Sequence, residues 1–370
     1  MTTSSLITRL ASAGAGTRPT ASYRTNLVMT LLCVWFTVGL FLDAWAHNNK
    51  PGLETFFTPW HGVFYSGALA TTVWVAWTVR GGLRTDGQYL RSVPVGYGAT
   101  VIALIAFAVA GAGDLTWHTI FGIEQNIDIL FSPTHLGLGA SMFVIVTTPL
   151  RAMWADGSLP ARPGLLALLP AVLSTAFATT IVLLFLQYAN VIVNGNGDMI
   201  MALSNRDQGF TASVVTSMAV TSVVLLLPVL TLARRWQLPF GTATAIYAAA
   251  AALSGAITGF DNRTMIIALI FGGVLGDLLA LWLRPQPEAP NRFRAFAGLA
   301  PVVTWAAFIA AAFIDPPQWF GFAEAPVPQP ELYTGAPVVQ GLIGLLLAFL
   351  LVPPKPGRQP DGDALTVGDA

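Results

Sequence analysis

Along the chain, apolar runs of about twenty residues alternate with short polar, proline-bearing or glycine-bearing connections. Runs of that length match the roughly 30 Å hydrocarbon core of a bilayer. The pattern predicts ten helices, over residues 27–46, 61–79, 97–117, 133–151, 165–187, 211–233, 241–260, 264–283, 295–314 and 337–353. The expected fold is an all-α, polytopic transmembrane bundle with four parts: a tail at 1–26, a duplicated four-helix region at 27–152, a six-helix region at 153–353 and a second tail at 354–370. The polar ends read as mobile tails.

Composition sharpens this picture. Hydrophobic residues make up 54% of the chain and charged residues 10%, against roughly 25% charged in an ordinary soluble domain. A water-soluble globule is excluded, and the lipid bilayer is the expected surrounding. Eighteen basic and eighteen acidic residues cancel. With no basic stripe among aromatics, nothing points to a nucleic-acid partner. The single cysteine, Cys33, lies in an apolar run and reads as a packing residue, so no thiolate site is expected.

Charge does its work by position. With the N-terminus in the cytoplasm, fifteen of the eighteen basic residues fall on inside segments, and only Lys50, Arg206 and Arg263 fall outside. That positive-inside bias predicts two cytoplasmic ends. Arg24, the following apolar stretch and Ala44-Trp45-Ala46 imitate a cleavable signal. The stretch is nevertheless as long as a full span, and the repeat described next needs residues on both sides of the cut, so it reads as a retained helix.

All four histidines lie in the first 135 residues, inside an internal duplication. The first copy runs Asp43, His47, Glu54, then Phe57-Thr58-Pro59-Trp60-His61. The second runs Asp114, His118, Glu124, then Phe131-Ser132-Pro133-Thr134-His135. Asp43 to Asp114 and His47 to His118 are both offsets of 71 positions. Asp and His four apart share one helix face. A proline two positions before the third residue can begin the next helix, so the chain turns and brings that imidazole back. Each helical hairpin then offers one carboxylate and two imidazoles, and the copies share one membrane orientation, placing both groups at the extracytoplasmic face.

Ionisable groups at a membrane usually mark function. An Asp-His-His set suits Cu(II), Zn(II) or non-haem Fe(II), and ligand type alone leaves the choice open. Glu54 and Glu124 recur with the motif and read as solvated loop residues or as groups that orient an imidazole. Trp45, Trp60 and Trp117 read as interfacial anchors.

Asp-xxx-His followed about a dozen residues later by His, with Phe57-Thr58-Pro59-Trp60-His61-Gly62-Val63-Phe64-Tyr65 around it, resembles the C subunit of the particulate methane and ammonia monooxygenases. The likeness covers residues 27–152. It implies copper at Asp43, His47 and His61 and at Asp114, His118 and His135. It also implies an oxidoreductase of monooxygenase type, or its C-type subunit, acting on a small apolar substrate with other membrane subunits or further copies beside it. Two departures stand out: Asp114 occupies a position where the family has Asn, and sixteen residues separate His118 from His135 against thirteen between His47 and His61. A copper- or zinc-handling protein without catalysis is the competing reading.

Three features lie outside the motif. The polar stretch from Asn190 to Gln208 is too long for a tight connection and reads as a cap over the metal groups, a partner surface or an ordinary solvated loop, with Met199 and Met201 ferrying Cu(I) or serving as plain apolar fillers. Asp277 reads as a proton-route residue or as the partner of a nearby basic residue. Gly272 and Gly276 read as a close helix contact.

Overall fold

The computed structural model describes residues 18–50, 57–80, 93–122, 124, 127–314 and 324–354. Most of both tails, and Glu54 of the motif, lie outside the described residues. All ten apolar runs are helical, and no strand occurs among the described residues. The helices are α1 (Tyr23–Asn49), α2 (Pro59–Val79), α3 (Gly98–Phe121), the single turn α4 (Asp128–Phe131), α5 (Pro133–Val146), α6 (Thr148–Ala155), α7 (Leu165–Phe185), α8 (Asn196–Ser204), α9 (Gln208–Ala233), α10 (Thr242–Ile257), α11 (Arg263–Leu283), α12 (Pro290–Ala312) and α13 (Pro330–Leu351). Among the described residues nine spans, with α5 and α6 counted as one, are long and apolar enough to cross a membrane. The chain is a multi-pass helical membrane protein.

The fourth predicted helix breaks at Thr147. Pro149 cannot donate to the Ile145 carbonyl, and the Thr148 hydroxyl takes that acceptor instead at 2.6 Å. Arg151 closes the break, donating to the Val144 and Gly96 carbonyls and to Thr147 and Thr100. Among the described residues its charge is met by backbone and hydroxyl oxygens of its own helix break and of the start of α3.

Helix α10 is short, and both its ends are satisfied from the side. At about 1.5 Å per residue, the 16 residues of α10 reach about 24 Å, less than a hydrocarbon core. The Asp277 carboxylate, from α11, accepts from the backbone N–H groups of Gly241, Ala243 and Thr244 at 2.9, 2.8 and 3.0 Å, and from the Thr244 hydroxyl at 2.6 Å. An anion there completes the unpaired donors and meets the positive end of the helix dipole. Asp277 thus serves as a helix cap, and among the described residues it pairs with no basic side chain. At the other end, the Ile257 carbonyl accepts from the side-chain amides of Asn48 and Asn49 at 3.3 and 3.0 Å, tying α10 to the end of α1 that carries the motif.

Buried side chains form two main clusters. One is drawn from residues 21–152 together with Phe177, Ala178 and Ile181 of α7, the other from residues 153–352. Helix α7 is the most buried span and packs against α1, α5, α6 and α10, whereas α2 and α3 are the most open. Helices α11, α12 and α13 pack in sequence, with Gly272 against Thr304 of α12 and Gly344 against Ala297. Gly272 and Gly273 make the close approaches expected of small residues on α11, while Gly276 sits at ordinary contact distance from Ala243. The stretch from Asn190 to Gln208 is a short helical segment. Two 3-10 turns lead into α8, which Asp198 caps, and Val191, Ile192 and Met199 are wholly buried in the second cluster. Met199 is an apolar filler there, not a ligand at the motif.

Candidate metal centre

Two glycines decide where the first group forms. A Cβ on Gly39 would lie 2.8 Å from the Phe64 Cα, and one on Gly67 would lie 2.7 Å from the Phe36 Cα. The paired positions, 39 with 64 and 67 with 36, run in opposite directions. Helices α1 and α2 are therefore antiparallel and close enough that only glycine fits at both contacts. One turn beyond Gly39, that approach brings Asp43 against His61. The second hairpin repeats the arrangement with the small residue on the other helix: a Cβ on Gly137 of α5 would lie 3.1 Å from the Ala110 Cβ of α3. Ala110 is the counterpart of Gly39 in the 71-residue offset.

The six predicted ligands fall into two groups of three, Asp43 with His47 and His61, and Asp114 with His118 and His135. Within each group one ligand atom per residue lies within 4.8 Å of the others. In the first, His61 Nε2 is 3.3 Å and His47 Nε2 3.9 Å from Asp43 Oδ2. In the second, His135 Nε2 is 3.1 Å and His118 Nε2 3.5 Å from Asp114 Oδ1. Two ligands bound tetrahedrally at about 2.0–2.1 Å from a metal lie about 3.3 Å apart, so these separations suit a shared cation. Asp43, His61, Asp114 and His118 are buried.

Hydrogen bonds fix the imidazole orientations. His135 Nδ1 lies 2.9 Å from the Ile129 carbonyl, and His118 Nδ1 lies 3.2 Å from the Gly122 carbonyl. A carbonyl only accepts, so both Nδ1 atoms donate, and each Nε2 turns toward the same carboxylate. In neutral imidazoles those Nε2 atoms carry lone pairs, so three acceptors converge. Protons, a bridging water or a cation would have to sit among them. Thr134 donates to Asp114 at 2.9 Å, which orients the carboxylate. Glu124 Oε2 lies 3.2 Å from His118 Nδ1 without a hydrogen bond to it, so Glu124 is a charge beside the imidazole, which the Gly122 carbonyl orients, and is not among the ligand atoms. His61 is held by Thr58, whose Oγ1 accepts from the His61 backbone N–H at 3.1 Å and sits 3.2 Å from its Nδ1.

Both groups open onto one cavity of about 80 Å³. Asp43, His47, His61, Asp114 and His135 line it, and the rest of the wall is apolar apart from Tyr65. Tyr65 stands one turn below His61, with ring centroids 6.2 Å apart, and its hydroxyl lies against α3 where residue 111 is glycine. Sequence reading passed over Tyr65, although its four-residue spacing from His61 puts it on the ligand face. Phe185, Leu184 and Met142 also line the cavity. The two α7 residues carry no spacing signal, because only tertiary packing brings that helix to the motif. Trp45 and Trp60 pack edge to face at 5.6 Å across the first hairpin, and Trp117 packs on Phe121. No protein-family model, curated protein or solved structure matches the chain.

Proposed function

We propose that the chain is a membrane metalloprotein holding copper at Asp43, His47 and His61 and at Asp114, His118 and His135. In this reading it is an oxidoreductase of monooxygenase type, or the C-type subunit of one, acting on a small apolar substrate. The observation that carries metal binding is the convergence of two imidazoles on each buried carboxylate, clearest at Asp114, where both imidazoles are anchored by backbone carbonyls. Two buried imidazolium ions would have to satisfy that arrangement by protonation, at a large desolvation cost. One divalent cation replaces both protons. The donor set of nitrogen and oxygen without thiolate suits Cu(II), with zinc and iron as the alternatives, and the resemblance of residues 27–152 favours copper. Copper held in this way would supply oxygen chemistry. The chain's own part is to present the ligands on rigid helix ends, to orient His118 through the Gly122 carbonyl with the Glu124 charge beside it and Asp114 through Thr134, and to surround the site with apolar side chains.

The basic-residue bias supports cytoplasmic ends and an extracytoplasmic site, with α10 as a tenth, short crossing beside the nine long ones. The competing reading, copper or zinc handling or transport without catalysis, calls for polar groups along a path through the bundle. Asp277 and Arg151, both ionisable groups within spans, are instead taken up by helix ends.

Metal analysis and electron paramagnetic resonance of the purified full chain test the proposal. Copper with nitrogen hyperfine structure is expected. Stoichiometric zinc or iron without copper would overturn the copper assignment, and no bound metal at all would overturn the metalloprotein. Metal uptake by vesicles without substrate-dependent oxygen consumption would replace catalysis by handling.

A further inference from the structure

The cavity between the two ligand groups has a wall that holds no ligand. Leu184 and Phe185 arrive from the end of α7, and the Phe185 ring seats against α5 at residue 139. A Cβ on Gly139 would fall 2.3 Å from that ring. The ring fills the space any other residue's side chain would need, so a glycine notch fixes its position beside the cavity.

Size and chemistry then limit what fits. The cavity holds about 80 Å³, roughly half of the about 150 Å³ in which an apolar cavity binds benzene. Leu40, Leu138 and Met142 continue the wall, so away from the ligand side chains a guest meets almost only carbon. Apolar walls with a few convergent polar groups are the usual form of a small-molecule site.

We propose that Phe185, seated in the Gly139 notch, is the size-determining residue of this cavity, and that it restricts guests to apolar molecules smaller than benzene. That such a guest is the molecule on which the metal acts rests on the function proposed above. The size limit rests on the cavity alone. Truncating the ring joins its volume to the cavity, because a packed interior closes only partly around a deleted side chain. Adding a methyl group at residue 139 displaces the ring and fills the notch.

Crystals of the full chain in detergent, pressurised with xenon or soaked in bromobenzene, read this directly by anomalous scattering. Wild type should show xenon in the cavity and no bromine. Phe185→Ala should gain a bromine peak at the vacated ring position, and Gly139→Ala should lose the xenon peak. Phe185→Leu carries the same expectation in smaller degree and serves if the alanine variant does not fold. A wild-type cavity without xenon, bromobenzene bound in wild type, or no bromine gain in folded Phe185 variants would each overturn the proposal. Metal content, measured on the same samples, should be unchanged by the Phe185 substitutions. Xenon and bromobenzene behaving as expected in a protein that carries no metal would sink the metal reading and leave the size limit standing.

Discussion

In the first hairpin His61 is steadied by the hydroxyl of Thr58, the residue that also caps α2. In the second, His135 is steadied by the Ile129 carbonyl. That carbonyl belongs to α4, the helical turn that occupies part of the longer second connection. The difference of three residues between the two spacings therefore brings a structural group with it. The positions equivalent to Thr58 and Trp60 are Ser132 and Thr134, and they have been given other work. Ser132 bonds Thr134 at 2.8 Å, Thr134 donates to Asp114, and Trp60 packs on Trp45 instead. One ligand set is thus held by two different supporting shells, which shows that the duplication preserves the ligands more closely than what orients them.

The largest expected effect tests whether the two groups are equivalent at all. His61→Ala and His135→Ala each remove one of three protein ligands, so each should abolish metal in its own group and lower total metal by about half. The double variant should carry almost none. Metal analysis of the three proteins decides it. Near-complete loss from either single change would mean that the six residues act as one site, and unchanged metal in all three would leave the groups as plain ion pairs.

Next in size is the carboxylate beside His118. Glu124→Gln keeps the shape but removes the charge beside His118 Nδ1. Such changes typically lower metal affinity about 10–100-fold, here in the second group only. Competition with a chelator would show one site released early and the other unmoved. Glu54→Gln sharpens the comparison, since by the repeat it should do the same for the first group. Equal release of both sites by Glu124→Gln would contradict the pairing seen here.

The close approach of the helices ranks third. Gly39→Ala places a methyl group against the backbone of Phe64, an overpacking cost of about 1–3 kcal/mol, and should also loosen metal in the first group. Ala110→Gly, its counterpart, removes the methyl group that faces Gly137 and costs about 0.5–1 kcal/mol through helix propensity. Thermal unfolding in detergent should show the larger fall for Gly39→Ala. A larger fall for Ala110→Gly would show that the second hairpin, not the first, depends on close packing.

How much of this was legible in sequence depends on the range of the interaction. Apolar runs gave all ten helices because a bilayer demands length and hydropathy from each segment separately. The four-residue spacing of Asp43 with His47, and of Asp114 with His118, carried the ligand groups, since one helix face is a local property. Asp277 misled because its partners are backbone N–H groups of another helix, which no residue spelling reveals. The break at Thr147 was signalled by Pro149, yet the closing role of Arg151 required the fold. The cavity was invisible for the same reason: Phe185 and Gly139 meet only after α7 has packed on α5.

The smallest expected effect separates capping from metal support within a single hydroxyl. Thr58 accepts from the His61 backbone N–H as the cap of α2, and its Oγ1 also lies beside His61 Nδ1. Ser132, at the same place in the repeat, makes no side-chain cap bond, and among the described residues it touches its group through Thr134. Thr58→Ala should therefore cost about 1 kcal/mol of stability and shift metal affinity modestly in the first group. Ser132→Ala should leave stability nearly unchanged, and any weakening at the second group should come through a looser Thr134. Thr58→Ser keeps both contacts of the hydroxyl and should restore both properties, which ties the loss to that oxygen and not to the methyl group beside it. Melting curves together with chelator competition on the three variants read the two effects separately. Equal melting losses for Thr58→Ala and Ser132→Ala would mean that the two hydroxyls do the same work, and that the supporting shells are as duplicated as the ligands.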